Sequence, residues 1–206
     1  MHNLRLIVNR VFSSITYIVP CPSKAKECWI VDCGDVEKII DWGYTIHGVL
    51  LTHVHYDHIY GLPTLLEAFP QAAIYTNADG FQALQDPRRN FSRYHFDVPD
   101  FMLENIDAVK IIDVEGDIEL SAGLKARALF TPGHTPNCLS YIIEHNLFTG
   151  DAYIPGIKVV TSFPHSDKNE AAQSIKRLVL LEQRGLNIRA GHVVSRHNST
   201  LGATES

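Results

Sequence analysis

No stretch of the 206-residue chain approaches the roughly 18 uninterrupted apolar residues of a membrane-spanning helix, so no membrane partner is expected. Basic residues are not in surplus either. The 18 Lys and Arg stand against 23 Asp and Glu, a formal net charge of −5. A general electrostatic footprint for nucleic acid is missing, and no nucleic-acid partner is expected. Cysteine is scarce: Cys21, Cys28, Cys33 and Cys138 form no CxxC and no zinc-finger spacing. A reduced, cytoplasmic chain is the simplest reading, with disulfides left open in principle. The opening MHNLRLIVNRVF is broken by Arg5, Asn9 and Arg10, and no clean small-residue cleavage site follows, so no secretory signal is read there. No linker and no internal repeat stands out.

Histidine, by contrast, is plentiful: 11 residues, not gathered in a tail. The stretch Leu51 to His58 reads LTHVHYDH and places His53, His55, Asp57 and His58 within six positions. An apolar run, Ile46 to Leu51, precedes it, broken by His47 and Gly48. A helix-like pattern, Ile59 to Phe69, follows. The cluster thus marks the end of a buried strand and the start of a helix, where open α/β sheets present side chains to ligands. His53 and His55 are two apart and share one side of an extended backbone. A single His near an Asp is usually a surface residue or a satisfied core pair. Four such groups after an apolar run are costly to bury without a compensating charge, which a metal supplies. Imidazoles and carboxylates suit Zn²⁺ and its neighbours.

Alternating apolar residues predict two strands over 4–19 and a third over 28–31, with a short helix over 36–42. A strand over 46–51 leads into the cluster, the 59–69 helix buries Ile59, Leu62, Leu65, Leu66 and Phe69 on one face, and 73–75 is again a strand. The region 76–107 is less regular, with a helical turn at 81–84. Its aromatics Phe91, Tyr94, Phe96 and Phe101 read equally as a packed surface subdomain or as a substrate wall. Strands return at 109–114, 118–120, 126–130, 139–143 and 146–148, with a short one at 157–160. A final helix is capped by Asp167, with Glu170 completing a capping box, and stops at Gly185. A last strand over 186–190 runs into Gly191-His192, and the tail from His197 is polar. Strands and helices therefore occur twice over. Packed face to face, two such halves would bring His53 to His58 together with His134, Asp151 and His192 along one edge.

The motifs carry a resemblance. THVHYDH at 52–58 resembles the HxHxDH signature of the metallo-β-lactamase fold superfamily. TPGHTP at 131–136, FTGD at 148–151 and GH at 191–192 follow in the family's order, and IVDCG at 30–34 resembles its conserved strand and turn, with Asp32 as a structural partner. The likeness spans nearly the whole chain and is greatest to the glyoxalase II-like, hydroxyacylglutathione hydrolase-like branch, which also carries a stretch similar to Asp86-Pro87, Asn90 and Ser92. The chain departs from that branch in three ways. It stops 14 residues after His192, where a full glyoxalase II continues into a helical region that helps bind glutathione. Lys158 is the only basic residue between Asp151 and Lys168. The closing motif reads AGHV where relatives more often have PGHG.

The resemblance implies an α/β (α+β) fold, a four-layer αββα sandwich. The chain is then one domain, 1–206, with halves at about 1–75 and 109–196 and a partly helical insert at 76–107. It implies two divalent metal ions, first of all zinc, with iron or manganese as alternatives. His53, His55 and His134 would hold one ion, Asp57, His58 and His192 the other, and Asp151 would bridge them. A water shared by two such ions has its pKa lowered towards neutrality and can attack an acyl or phosphoryl centre, with Asp57 orienting it. The expected activity is hydrolysis of a small acyl substrate, a thioester, lactone or ester. Phosphodiester or RNA hydrolysis, β-lactam hydrolysis, one-iron persulfide dioxygenation and a non-catalytic, metal-stabilised binding protein are the rivals. Tyr153, two residues after Asp151, is expected to donate a hydrogen bond to a substrate oxygen, as a tyrosine near this position does in related lactonases. Lys158 and His165 read more simply as solvated loop residues, and Cys138 as packing. Oligomeric state is not legible.

Overall fold

Strand alternation decides which way each apolar side chain faces. In β2 (Ile15–Pro20), Ile15, Tyr17 and Val19 face one way and Ile18 the other; in β3 (Glu27–Val31), Trp29 and Val31 join the first set, and Cys28 and Ile30 the second. Both faces of this sheet are buried, so it needs a layer on each side. The computed structural model, which describes residues 4–22 and 24–193, supplies both. The turn residue Ser23, and the polar tail expected from His197, lie outside the described residues.

The first sheet has the order β1-β2-β3-β4-β5-β6, completed by β1 (Arg5–Val8), β4 (Thr45–Leu50), β5 (Ala73–Thr76) and β6 (Val109–Ile111). Its first three strands are antiparallel and its last four parallel. The parallel part needs crossovers. Helices α1 (Glu37–Asp41), α2 (Leu62–Ala68) and α3 (Ala78–Ala83) lie along them, and Ile39, Leu62, Leu65 and Ala83 pack on Ile18, Cys28 and Ile30. The second sheet has the order β11-β10-β9-β8-β7, from β7 (Gly116–Ser121), β8 (Leu124–Phe130), β9 (Leu139–Ile143), β10 (Asn146–Gly150) and β11 (Asn187–Ala190). Only β10 and β11 run parallel, and α4 (Lys168–Gln183) lies in the crossover between them. Ala126, Ala128, Leu139, Tyr141 and Phe148 meet Tyr17, Trp29, Val31 and Leu50 between the sheets, while Leu129 and Leu147 face Leu178 of α4. The layers are helix, sheet, sheet, helix: the αββα sandwich.

Several boundaries differ from the sequence expectation. The 59–69 helix begins only at Leu62, because residues 56–58 wind a separate 3-10 turn. The strand expected over 109–114 ends at Ile111. The helical turn at 81–84 is part of α3, whose N-terminus is capped by the Asn77 side chain accepting from Gly80 N at 2.9 Å. No strand forms over 157–160; the Val160 carbonyl instead accepts from His134 Nδ1 at 2.8 Å. Asp167 caps α4 as expected, accepting from Asn169 N and Glu170 N at 2.7 and 2.9 Å. The other half of the capping box is replaced, since Asp167 N donates to Gly133 O at 2.9 Å. β4 carries a bulge: Cys28 pairs with Ile46 but Ile30 with Val49, so β4 spends one extra residue at His47-Gly48. That residue resets the alternation, sending Leu50 to the inter-sheet core and Leu51 to the helix side just before the histidine cluster.

Candidate metal centre

The seven side chains converge at one edge of the sandwich. After β4 the chain stays extended to His55, pinned by Val54 N to Asn137 Oδ1 at 2.9 Å and by Leu139 N to Thr52 O at 2.7 Å. The 3-10 turn Tyr56–His58 then swings Asp57 and His58 towards the two histidines. His134 lies in the β8–β9 loop. There Gly133 has φ +131°, and a Cβ would stand 2.2 Å from Ala171 N at the start of α4, so glycine is required both by the backbone conformation and by the approach of the helix. Asp151 follows β10 and His192 follows β11. A Cβ on Gly191 would stand 2.4 Å from Asp151 Oδ1. Ile15 N bonds Gly191 O at 2.7 Å and Tyr17 Oη donates to Ala190 O at 2.8 Å, so the first sheet holds the end of β11 in place.

Hydrogen bonds at the outer nitrogens set the direction of the inner ones. His134 Nδ1 and His192 Nδ1 face the carbonyls of Val160 and Phe12, at 2.8 and 3.0 Å. A carbonyl only accepts, so each Nδ1 carries the proton and each Nε2 turns a lone pair inward. His58 Nδ1 donates to Asp32 Oδ2 at 2.9 Å. Thr52 Oγ1 also donates to Asp32 Oδ2, at 2.7 Å, which leaves its oxygen to accept from His53 Nδ1 at 3.2 Å. Asp32, itself at φ +58°, thereby orients two imidazoles, one directly and one through Thr52. His55 faces inward with Nδ1, 3.2 Å from His134 Nε2.

Asp151 occupies the middle. Its Oδ2 lies 4.0 Å from His53 Nε2, 3.7 Å from His134 Nε2 and 3.3 Å from His192 Nε2, and its Oδ1 lies 3.8 Å from His58 Nε2. Asp57 Oδ2 is 3.3 Å from both His58 Nε2 and His192 Nε2. Among the described residues, three groupings have metal-ligand proximity: His53-His55-His134, His53-His58-Asp151 and Asp57-His58-His192. Buried His53 Nε2 and Asp151 Oδ1 have no hydrogen-bond partner among the described residues. Unpartnered donor atoms aimed at a common point, from residues of this chemistry, fit divalent metal.

The acid–base character divides the cluster. Burial, reinforced by neighbouring histidines, pushes the His53 pKa well below its usual value, and burial with His134 alongside takes His55 down to about 3. Burial also lowers His134. Burial acts the same way on His58 and His192, but there the carboxylates prevail, Asp57 and Asp32 at His58 and Asp151 at His192, and both pKa values are raised. Against the opposing effect of burial, the imidazoles hold Asp57 and Asp151 below the ordinary carboxylate range. Burial therefore favours the neutral ring at His53, His55 and His134, while the neighbouring carboxylates favour the protonated ring at His58 and His192.

A cleft of about 430 Å³ opens over the centre, walled by Phe12, Tyr56, Phe91, Tyr94, His95 and Phe163 with His55, Asp57, His134, Asp151 and His192 at its floor. The insert thus contributes Phe91 and Tyr94 to the wall, whereas Phe101 is core and Phe96 stands in solvent. Phe12, Tyr56, His95 and Phe163 escaped the sequence reading. The turn signal over 9–14 and the aromatic within the HVHYDH stretch were the only available hints.

Tyr153 is not brought to this cleft. Its hydroxyl donates to Glu182 Oε2 of α4 at 2.8 Å and its ring packs on the outer core of the second sheet. The sequence expectation of a substrate contact is corrected accordingly: the turn after β10 sends residue 153 to the helix side. Lys158 lines a small recess behind His134 and Asp151, His165 lies on a neighbouring cavity, and Cys138 is buried packing.

A two-sheet sandwich with a His/Asp cluster at one edge defines a class, and comparison with known proteins agrees with it. The chain belongs to the metallo-beta-lactamase superfamily, whose model matches residues 11–184 and whose members are generally hydrolytic metalloenzymes. It is 29% identical over 194 residues to the metallo-beta-lactamase fold-containing protein ST1585 of Sulfurisphaera tokodaii, covering 87% of this chain and 74% of that one. It is 35% identical over 136 residues to a hydroxyacylglutathione hydrolase of Shewanella pealeana, covering 63% of this chain and 43% of the hydrolase, so the match spans less than half of that relative. Among solved structures, the BLEG-1 B3 metallo-beta-lactamase superposes with a TM-score of 0.81 at 25% identity, over 93% of this chain and 92% of that one. Among the described residues no helix is long and apolar enough to cross a membrane.

Proposed function

We propose that the protein is a dinuclear metal-dependent hydrolase of a small acyl substrate, a thioester first and a lactone or other ester next. The observation that carries this reading is the position of Asp151, a carboxylate facing inward nitrogens from both histidine sets at 3.3–4.0 Å. His53, His55 and His134 would hold one divalent ion and Asp57, His58 and His192 the other, with Asp151 shared between them. Zinc fits these borderline ligands best, with iron or manganese as alternatives. Ions bound there supply Lewis acidity and bring the pKa of a shared water towards neutrality. The chain's own residues do the rest. Asp32 and Thr52, with the carbonyls of Val160 and Phe12, fix ring orientation and tautomer at four histidines. Asp57, which lines the cleft, would orient the attacking water by accepting a hydrogen bond from it. Phe91 and Phe163, packed edge-on at 4.7 and 5.2 Å against His55, keep one side of the centre dry. The likeness to a hydroxyacylglutathione hydrolase supports thioesters as the first substrates to try.

The test is thiol release from acyl-glutathione and acyl-coenzyme A thioesters by protein supplied with two equivalents of zinc. Turnover that disappears in His55→Ala together with bound metal is the expected result. No release by protein verified to hold two metals would overturn the thioester reading and leave lactones as the next class.

A further inference from the structure

The loop between β1 and β2, residues 9–14, supplies no metal-facing side chain, yet it reaches two of the three members of the Asp57-His58-His192 set. Ser14, fully buried, donates its hydroxyl to the Asp57 carbonyl at 2.7 Å and accepts from Asn9 Nδ2 at 3.0 Å. Two residues earlier, the Phe12 carbonyl accepts from His192 Nδ1 at 3.0 Å. The backbone of Ser14 also pairs with His192 in an isolated antiparallel bridge. Among the described residues, no hydrogen bond joins this loop to His53, His55 or His134; Thr52 meets His53, and the Val160 carbonyl meets His134. The loop is held against strain. Phe12 and Ser13 are successive non-glycine residues at φ +50° and +55°, a conformation that persists only where the surroundings over-determine it. Buried Asn9 does much of the fastening. Its Nδ2 reaches Thr16 Oγ1 at 3.1 Å as well as Ser14, and its Oδ1 accepts from Asp35 N at 3.0 Å. A Cβ on Gly34 would stand 2.2 Å from Asn9 Cγ, so the seat is closed around the amide. Asp35 grips the loop in return, accepting from Arg10 N at 3.1 Å.

From these contacts, and resting on the two-metal reading above, we infer that the 9–14 loop decides whether the centre holds one ion or two. Ser14 is a positioning residue for the second ion. Its hydroxyl fixes the 3-10 turn that aims Asp57, and its place at the end of the strained turn presents the Phe12 carbonyl that sets the tautomer of His192. The His53-His55-His134 set is built without this loop. A chain whose loop is loosened therefore keeps the first ion and loses its hold on the second.

The test measures the two stepwise zinc affinities by chelator competition in the unaltered protein and in Ser14→Ala. Ring nitrogen NMR shifts of His53 and His134 report the first set, and those of His58 and His192 the second. Loss of an outer partner of a ligand typically costs roughly 10–100-fold in metal affinity, and a contact made through a carbonyl belongs at the lower end. Ser14→Ala should therefore weaken the second zinc by about tenfold and the first by less than about twofold. General destabilisation would weaken both, so the first ion is the internal control. Ser14→Cys, which keeps a weaker donor, should fall between the two proteins, and it carries the comparison should Ser14→Ala not fold. Equal weakening of both ions, or an unchanged second affinity, would overturn the role of the loop. Should the unaltered protein take no second zinc, it is the two-metal reading that fails. Ring spectra of the metal-free chain in alkaline buffer then decide the loop alone. A His192 fixed with its proton on Nδ1, and averaging between tautomers in Ser14→Ala while His134 stays unchanged, supports it; identical His192 signals in the two proteins sink it.

Discussion

The first sheet delivers His53, His55, Asp57 and His58 from one six-residue stretch after β4, whereas the second delivers His134, Asp151 and His192 one at a time, after β8, β10 and β11. In the first case local geometry nearly suffices: an extended segment, then a 3-10 turn. In the second, no two side chains are close in sequence, and packing alone brings them together. That packing is tight. The start of α4 closes on Gly133, and Asp151 closes on Gly191. A contiguous strip and a set of single residues can thus build two walls of one site, but they fail in different ways.

The two walls meet at Asp151, so its removal should have the largest effect. Asp151→Ala leaves the inward nitrogens of His53, His58, His134 and His192 without the carboxylate they share. Loss of an outer-shell partner typically costs roughly 10–100-fold in metal affinity or activity, and this change should exceed that. Metal content by plasma emission and thioester turnover should fall together. If two metals remained bound and turnover held, the shared role of Asp151 would be wrong.

Gly133→Ala attacks only the distributed wall. A methyl group there meets the backbone of Ala171 at a φ that L-residues rarely adopt. The positive φ alone costs about 1–3 kcal/mol, and the collision with α4 adds to it. Urea unfolding should register the loss, and the His134 loop should lose its hold on metal before the 53–58 strip does. Stability equal to the unaltered protein would mean that α4 can back away freely.

Acidity should separate the two metal sets more gently. A ring must be unprotonated at its inward nitrogen to ligate, so a raised pKa means that protons compete with metal up to a higher pH. His58 and His192 are raised, while His53, His55 and His134 are lowered. As pH falls, the Asp57-His58-His192 set should therefore release its ion first, and the His53-His55-His134 set should keep its own further into acid. Zinc titrations at pH 8 and pH 5.5 should show two tight equivalents becoming one. Simultaneous loss of both would contradict the division.

The same contrast governs what could be read from the sequence. The strip at 53–58 was legible because four polar donors after an apolar run are too costly to bury without a cation among them; alternation marked strands such as β2, but the four layers came with the family resemblance and not from periodicity. Asp167 announced α4. The β4 bulge at His47-Gly48 was not legible, since one extra residue shows only against its partner strand. Residues 157–160 look strand-like, but the backbone of Val160 is taken by His134, a contact 26 residues away. The cleft wall from Phe12, Tyr56, His95 and Phe163 is assembled from four separate segments, with no period in sequence to reveal it.

Tyr153 is the sharpest case, and it predicts the smallest effect. By sequence it lies two residues from a metal-facing aspartate and belongs to the centre. In the fold, its hydroxyl belongs to Glu182 and its backbone carbonyl to Thr149 Oγ1, at 2.8 and 2.6 Å. The Glu182 contact also pushes the phenol pKa up, to about 12, after the larger contribution of burial. Tyr153→Phe removes one partly exposed hydrogen bond and keeps the ring on the outer core, so it should cost about 1 kcal/mol of stability or less. Thermal unfolding should show a small downward shift, reproduced by Glu182→Gln, while kcat and KM stay within twofold. A large fall in kcat with unchanged stability would return Tyr153 to the substrate and require the turn after β10 to rearrange when substrate binds.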